Sequence, residues 1–401
     1  MTDTLLETGF DETLHDHYRA ARAAGPVGVA VDTGAIVVLG YDDVERLSHD
    51  ARLAGVGLSI FDFLGIGDGS LRRWYASLMF TNEGATHHRL RGLVSRAFTP
   101  RSVERHRALA ASLAADRLAS LVEAGGGNLV EALGDVPITV ICTLLGVPDD
   151  QIGDFVAYGD ALSPVFGLMD PRQISVAEAA VVDLMSDVEA MMASRLEERS
   201  DDLISALLDA EESGDRLTHD EVVTMVGNLI VGGHDTTSGQ VGCTLLTLLR
   251  HPEALDALRS DPSLCRTVVD EAIRFEPSIT VVPRTALEPI DIGGIERPAG
   301  SMVFLASASA SRDERVWGDP EEFRPARFDE PDAPKLLSFG AGAHYCLGAA
   351  LARMTMEEIV LAAAAAGLGN TLVADGPLDA ADIEWRQILG RSPAHLHVTL
   401  R

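Results

Sequence analysis

Residues 339–348 read "FGAGAHYCLG", three glycines, one histidine and one cysteine in ten positions. A thiol on so flexible a turn can be a metal ligand, a nucleophile or a small hydrophobe. Gly340, Gly342 and Gly348 remove side chains on both sides of Cys346, so a large flat object can approach the backbone there. A helix is expected from about Gly348, and its first amides would stabilise a thiolate. His344, two residues away, points poorly for proton transfer to a nucleophilic cysteine. Zinc would need three or four ligands, and no second cysteine or histidine cluster accompanies this one. One thiolate with free space around it is what an axial haem iron ligand requires. Cys142, in "PITVICTLLGVP", and Cys243, in "GCTLLTLL", lie in apolar helical runs and read as core.

The ten residues match the Phe-Gly-x-Gly-x-His-x-Cys-x-Gly haem signature at every defined position, and the chain resembles the soluble bacterial cytochrome P450 family. The resemblance implies a mostly α fold with a small β region, a helical prism enclosing haem b (iron protoporphyrin IX). Cys346 is then the iron ligand, and Phe339, Gly340, His344 and Gly348 shape the cofactor site. It also implies a monooxygenase that inserts one atom of O2 into a lipophilic small molecule by hydroxylation or epoxidation, in secondary metabolism. Two alternatives stay open: a peroxide-driven or non-oxygenating haem-thiolate enzyme, and a haem-binding sensor or carrier.

Further motifs resemble the same family. "VGGHDTT" interrupts a long apolar helix with two glycines, each costing about 1 kcal/mol relative to alanine. A buried aspartate is expensive unless paired or used. By resemblance Gly232 and Gly233 leave room for dioxygen, Asp235 relays protons from solvent, and the Thr236 hydroxyl donates a hydrogen bond to the oxygen under activation. His234 is expected to face solvent or a network and not the iron. "DEAIRFEP" puts Glu271 and Arg274 at i, i+3, close enough to pair. The resemblance adds Arg327, in "RPARF", to form a structural triad bracing the cysteine loop.

Net charge is −29, from 61 acidic and 32 basic residues, which disfavours nucleic acid and anionic membrane as partners. The stretch Arg89–Arg107 runs against this, with arginines at 89, 91, 96, 101, 105 and 107 and Glu104 as its only acid. A solvated helix face is the plain explanation and a bound anion the sharper one. By resemblance His87 and Arg91 of "HHRLRGLV", Arg284 of "VPRTA" and His344 hold the two haem propionates. The other arginines, with Arg72, Arg73 and Arg353, are expected to dock an acidic electron carrier, a ferredoxin or flavodoxin served by a separate reductase. The family's usual Asp-Pro-Pro-x-His is replaced by "TNEGATHH", and Ala-Asn-Arg-Asp by "ASRD".

The length of 401 residues suggests two domains, but no linker or low-complexity tract divides the chain, so one domain over 1–401 is expected, with no fused reductase or ferredoxin module. Hydrophobic residues at 46% and aromatics at 5% suit an aliphatic, helical core. Four cysteines without pairing rhythm argue against disulfides. The N-terminus lacks a signal-peptide pattern, and no apolar run is long enough for a membrane span, so a soluble, cytoplasmic monomer is expected.

Thr218 and Glu221 form a capping-box signature, and the apolar pattern runs from there to Arg250, giving a buried helix roughly 48 Å long. Residues 55–85 read as a long functional loop. "GAIVVLG", "PIDIGG", "SMVFLAS" and "AHLHVTL" read as strands, and "YDDVERLSHD" as a short helix. By resemblance to the family, the substrate pocket is expected to draw on the 55–85 loop, residues 163–170, Asn228, Val231, Thr280, Val282 and Ile388.

Overall fold

The computed structural model describes residues 5–6, 13–31, 33–95, 98–167, 169–212, 218–378, 382–387 and 390–401. The helices that matter here, in chain order, are α1 (Leu14–Ala24), α2 (Tyr41–Ser48), α3 (Ser70–Ser77), α4 (Gly84–Val94), α5 (Arg107–Glu123), α6 (Val136–Leu145), α7 (Ile152–Leu162), α8 (Pro171–Glu197), α9 (His219–Arg250), α10 (Cys265–Phe275) and α11 (Ala349–Ala365). The strands that build the main sheet are β1 (Val27–Ala30), β2 (Ile36–Val38), β3 (Leu53–Ala54), β4 (Val282–Ala286) and β5 (Met302–Leu305), and a later hairpin is formed by β6 (Trp385–Gln387) and β7 (Arg391–Pro393). The architecture is mostly helical with small sheets, as the cysteine signature implies.

Helix α9 is the axis of the fold. Its start is fixed by the expected capping box: Thr218 Oγ1 accepts the Glu221 N–H (3.3 Å) and Glu221 Oε2 accepts the Thr218 N–H (2.8 Å). Of its 32 residues 24 are buried, because helices α6, α7, α8 and α10 pack around it. Val222, Val226 and Ile230 join Ile138, Val181 and Leu184 in one cluster; Leu245 and Leu248 join Val268 and Ile359 in another.

The main sheet has the order Leu5–Leu6, β1, β2, β5, β4, β3. Strand β2 runs parallel to β5 with Val37 opposite Phe304, and β5 runs antiparallel to β4 with Val303 opposite Arg284. Arg284 is buried in that register. The "AHLHVTL" tail supplies strand His397–Leu400, as expected.

The 55–85 stretch is not the long loop its glycines suggest. It contains a helix at Ser59–Phe63, helix α3 and a 3-10 turn at Met79–Thr81. Tertiary contacts hold these short pieces. Trp74 of α3 lies so close to Gly227 of α9 that a Cβ there would sit 2.8 Å from the indole Nε1. Glu178 of α8 accepts the Leu71 N–H (3.1 Å) at the start of α3.

Candidate active site

The cysteine turn is closed by the Cys346 N–H donating to the Phe339 carbonyl (2.8 Å). Gly340 (φ 68°) and Gly342 (φ 71°) supply the left-handed backbone this closure needs. Their surroundings differ. A Cβ on Gly342 would overlap the Ser48 carbonyl of α2, so Gly342 anchors the turn and does not open it, a correction to the sequence reading. A Cβ on Gly340 would meet only the His344 carbonyl at 3.7 Å, and one on Gly348 nothing within 4 Å, so these two leave the approach free.

Cys346 is exposed, while Cys142, Cys243 and Cys265 are buried. Poor hydration still pushes the Cys346 thiol up from its ordinary value, opposed by the Gly348 N–H, Arg91 and Arg353. A sulfur that is reachable yet poorly hydrated faces a slot within the fold. Arg91 Nη2 donates to the Tyr345 carbonyl (2.6 Å), and the Arg353 guanidinium lies 4.3 Å from the centre of the Phe339 ring.

A donor cradle borders this turn. His87 is 1% exposed, yet among the described residues neither ring nitrogen has a partner. Burial holds its pKa down at about 4, with His344 and Arg91 adding to the effect. The rings of His87 and His344 lie 4.2 Å apart. Arg284 is buried on β4, its Nη1 donating to the Pro283 carbonyl (3.1 Å). A buried imidazole with unmet hydrogen bonds beside two guanidiniums suits a pair of carboxylates. The residues expected to hold haem propionates therefore fit that group.

Helix α9 carries the second group of expected site residues. Asn228, Gly232 and Thr236 recur every four residues and so share one face. Gly232 is exposed in the middle of this buried helix, and a Cβ on it would meet only Asn228 Nδ2 at 3.8 Å. Asn228 Oδ1 accepts the Met79 N–H (2.8 Å), which ties this face to the 3-10 turn. The Thr236 hydroxyl donates to the Gly232 carbonyl (2.8 Å), so its proton is engaged within the helix and its lone pairs are left open. Asp235 is buried, with Arg386 Nη2 of β6 at 3.6 Å.

Gly233 departs from expectation. A Cβ there would overlap Ile141 Cδ1 of α6, so this glycine permits helix packing and leaves no room for dioxygen. The reason is the 100° rotation between successive helix residues, which turns Gly233 away from the Gly232 face. The same rotation buries Val231 in the core, so it lines no open space. Thr280 is buried too, Val282 is half-buried and Ile388 lies outside the described residues. His234 faces a network as expected, its Nε2 2.8 Å from Asp160 Oδ1 of α7.

The triad forms with both members of its first pair 0% exposed. Arg274 meets Glu271 twice (2.7 and 2.9 Å), and Arg327 Nε donates to Glu271 Oε1 (3.0 Å). The remaining guanidinium protons go to the carbonyls of Ser311, Pro320 and Glu322 from Arg274, and of Gly318 and Asp319 from Arg327. Each buried charge is thus both paired and hydrogen-bonded, as burial demands.

Several arginines expected to await a partner are engaged within the chain. Arg89 pairs with Glu221, Arg105 with Asp201, Arg107 with Glu104, Glu357 and Glu358, Arg72 with Asp62, and Arg353 with Asp270. Arg101 is exposed, and Arg96 lies outside the described residues. Two site residues had no sequence signal. Glu83 meets His344 (2.9 Å) across 261 positions, and Arg386 reaches Asp235 from the far end of the chain.

A family model described as Cytochrome P450 matches residues 162–363. The chain is 32% identical over 396 residues to the 6-deoxyerythronolide B hydroxylase of Saccharopolyspora erythraea, covering 96% of this chain and 95% of that one. It is 33% identical over 355 residues to the vitamin D(3) 25-hydroxylase of Pseudonocardia autotrophica, covering 87% and 85%. Among solved structures it is similar to CalO2, with a TM-score of 0.88, 27% identity and coverage of 96% and 95%. It is also similar to P450BioI in a complex with a hexadec-9Z-enoic acid-ligated acyl carrier protein, with a TM-score of 0.84, 25% identity and coverage of 96% and 98%.

Proposed function

The chain belongs to the cytochrome P450 family, a haem-thiolate monooxygenase that carries haem b and takes electrons from redox partners, and we propose that Cys346 is its iron ligand. The supporting observation is the reachable, poorly hydrated sulfur on a turn whose glycines at 340 and 348 leave space beside it. Haem b, when bound, supplies the iron at which dioxygen is reduced and cleaved.

The chain's own residues do the rest. His87, Arg91 and Arg284 bind the propionates and so set the cofactor's orientation; His344 shares in this through its ring contact with His87. The Gly348 N–H donates toward sulfur and moderates its basicity. Gly232 keeps the α9 face open, and Thr236 beside it holds a proton that can leave the Gly232 carbonyl for a stronger acceptor. Asp235 passes protons inward from the side where Arg386 reaches solvent. Glu271, Arg274 and Arg327 hold the segment that leads to the cysteine turn.

The substrate is a lipophilic small molecule, supported by the hydroxylases named above and by the aromatic group that Phe61, Tyr75, Phe80 and Phe166 form in the core cluster shared with α9. Residues 1–401 act as one domain in the cytoplasm, with a ferredoxin or flavodoxin as electron donor. Among the described residues no helix is long and apolar enough to cross a membrane.

The test is the ferrous–CO spectrum of the purified holoprotein beside that of Cys346→Ser. A thiolate-type Soret band that disappears in the variant supports the assignment, and an unchanged band rejects it. Turnover with NADPH and surrogate redox partners, compared with peroxide alone, then separates the oxygenase from a peroxide-driven enzyme.

A further inference from the structure

Glu83 stands immediately before α4, and its side chain makes no capping hydrogen bond to that helix. Both carboxylate oxygens are used elsewhere. Oε1 accepts the Gly55 N–H (2.8 Å), and Oε2 meets His344 Nε2 (2.9 Å). Gly55 is itself fixed in place, since a Cβ on it would come within 2.9 Å of the Phe80 carbonyl. The approach of this backbone to Glu83 is therefore built into the fold.

The carboxylate sits among cations and potential cations. His87 and Arg284 both feel its charge, and His344 contacts it directly. Burial pushes the Glu83 carboxyl up, but His344, the Gly55 N–H and Arg284 outweigh this and hold it below its ordinary value. The cradle that fits two propionates thus already contains one anion. Resting on the haem-thiolate reading, we propose that Glu83 is an anionic positioning residue of the cofactor cradle that fixes His344 and holds the cofactor's reduction potential down.

The physical reason is simple. A fixed negative charge in a partly dehydrated site favours the more positive, oxidised form of a nearby redox group. Hydrogen bonding and burial around the cofactor are the protein's other levers on that potential. Electrons then enter less readily until something offsets the charge. His344 engages Glu83 through Nε2, so Glu83 orients the imidazole that the cradle offers beside His87.

The experiment is a spectroelectrochemical titration of the purified holoenzyme, wild type beside Glu83→Gln, Glu83→Ser and Glu83→Asp. Glutamine keeps an acceptor for Gly55 and removes the charge; serine removes it by another route if the glutamine variant does not retain haem. Both should move the midpoint potential to more positive values, whereas Glu83→Asp, which keeps the charge, should stay nearer wild type. Equal shifts in all variants, or none in the neutral ones, overturn the proposal. The ferrous–CO band in the same cell separates the two claims. A normal thiolate band with an unmoved potential removes only the role of Glu83; its absence from the wild type removes the haem-thiolate reading as well.

Discussion

Gly233 of α9 and Ile141 of α6 pack so closely that a Cβ on the glycine would overlap the isoleucine Cδ1. Gly233→Ala should therefore lose about 1–2 kcal/mol despite alanine's better helix propensity. Ile141→Val removes the obstructing Cδ1 and should restore most of that loss in the double variant. Urea unfolding of the four proteins checks this; additive losses would reject the contact as the cause. Gly232→Ala should behave oppositely, leaving stability unchanged or raised by up to about 1 kcal/mol while weakening CO binding.

Among the described residues Glu271 is the single anion paired with two buried guanidiniums, Arg274 and Arg327. Glu271→Gln leaves both charges uncompensated, an expected loss of about 3–5 kcal/mol. The reading is the yield of soluble, haem-loaded protein and its thermal midpoint. A variant as stable as wild type would mean the triad braces nothing.

His15 of α1 is largely enclosed beside Glu276, with Nε2 3.1 Å from Oε1. Burial holds its pKa at about 4, below the ordinary 6.5; Arg312 and Arg391 add to the effect and Glu276 opposes it. The folded form therefore keeps His15 neutral, while the unfolded chain takes up a proton below pH 6.5. Stability from this site is complete above pH 6.5, declines as pH falls toward 4, and levels off at a loss of about 3 kcal/mol. Urea midpoints across that range should fall more steeply for wild type than for His15→Gln. Parallel slopes would remove His15 as the origin.

Glu178 accepts the Leu71 N–H at the start of α3, and Gly69 leaves the carboxylate its place, since a Cβ there would overlap Oε1. Glu178→Ala should cost about 1 kcal/mol, the usual loss of a helix cap. Hydrogen exchange at Leu71 should speed up in both Glu178→Ala and Gly69→Ala. In Gly67→Ala, where a Cβ meets nothing within 4 Å, it should not change.

The sequence was most informative where one local pattern dictates one geometry. Thr218 and Glu221 place the start of α9 because a capping box is complete within four residues. Cys346 is legible because its glycines and the following helix are contiguous with it. Gly233 was misread because a glycine pair in a helix looks alike whether it faces a slot or a neighbour; only Ile141, distant in the chain, decides. The 55–85 helices were missed because they are short, and contacts distant in sequence, Trp74 with α9 and Glu178 of α8 with Leu71, hold α3 in place. Glu83 escaped notice because its partners Gly55 and His344 lie on separate segments.

The sulfur of Cys346 and the bare Cα of Gly232 come from distant parts of the chain, and a tightly held pigment touching both would act as a staple between them. Its affinity then adds to folding free energy as the logarithm of its concentration. Protein made in a porphyrin-starved host should accordingly be short-lived, its abundance following pigment supply as well as transcription.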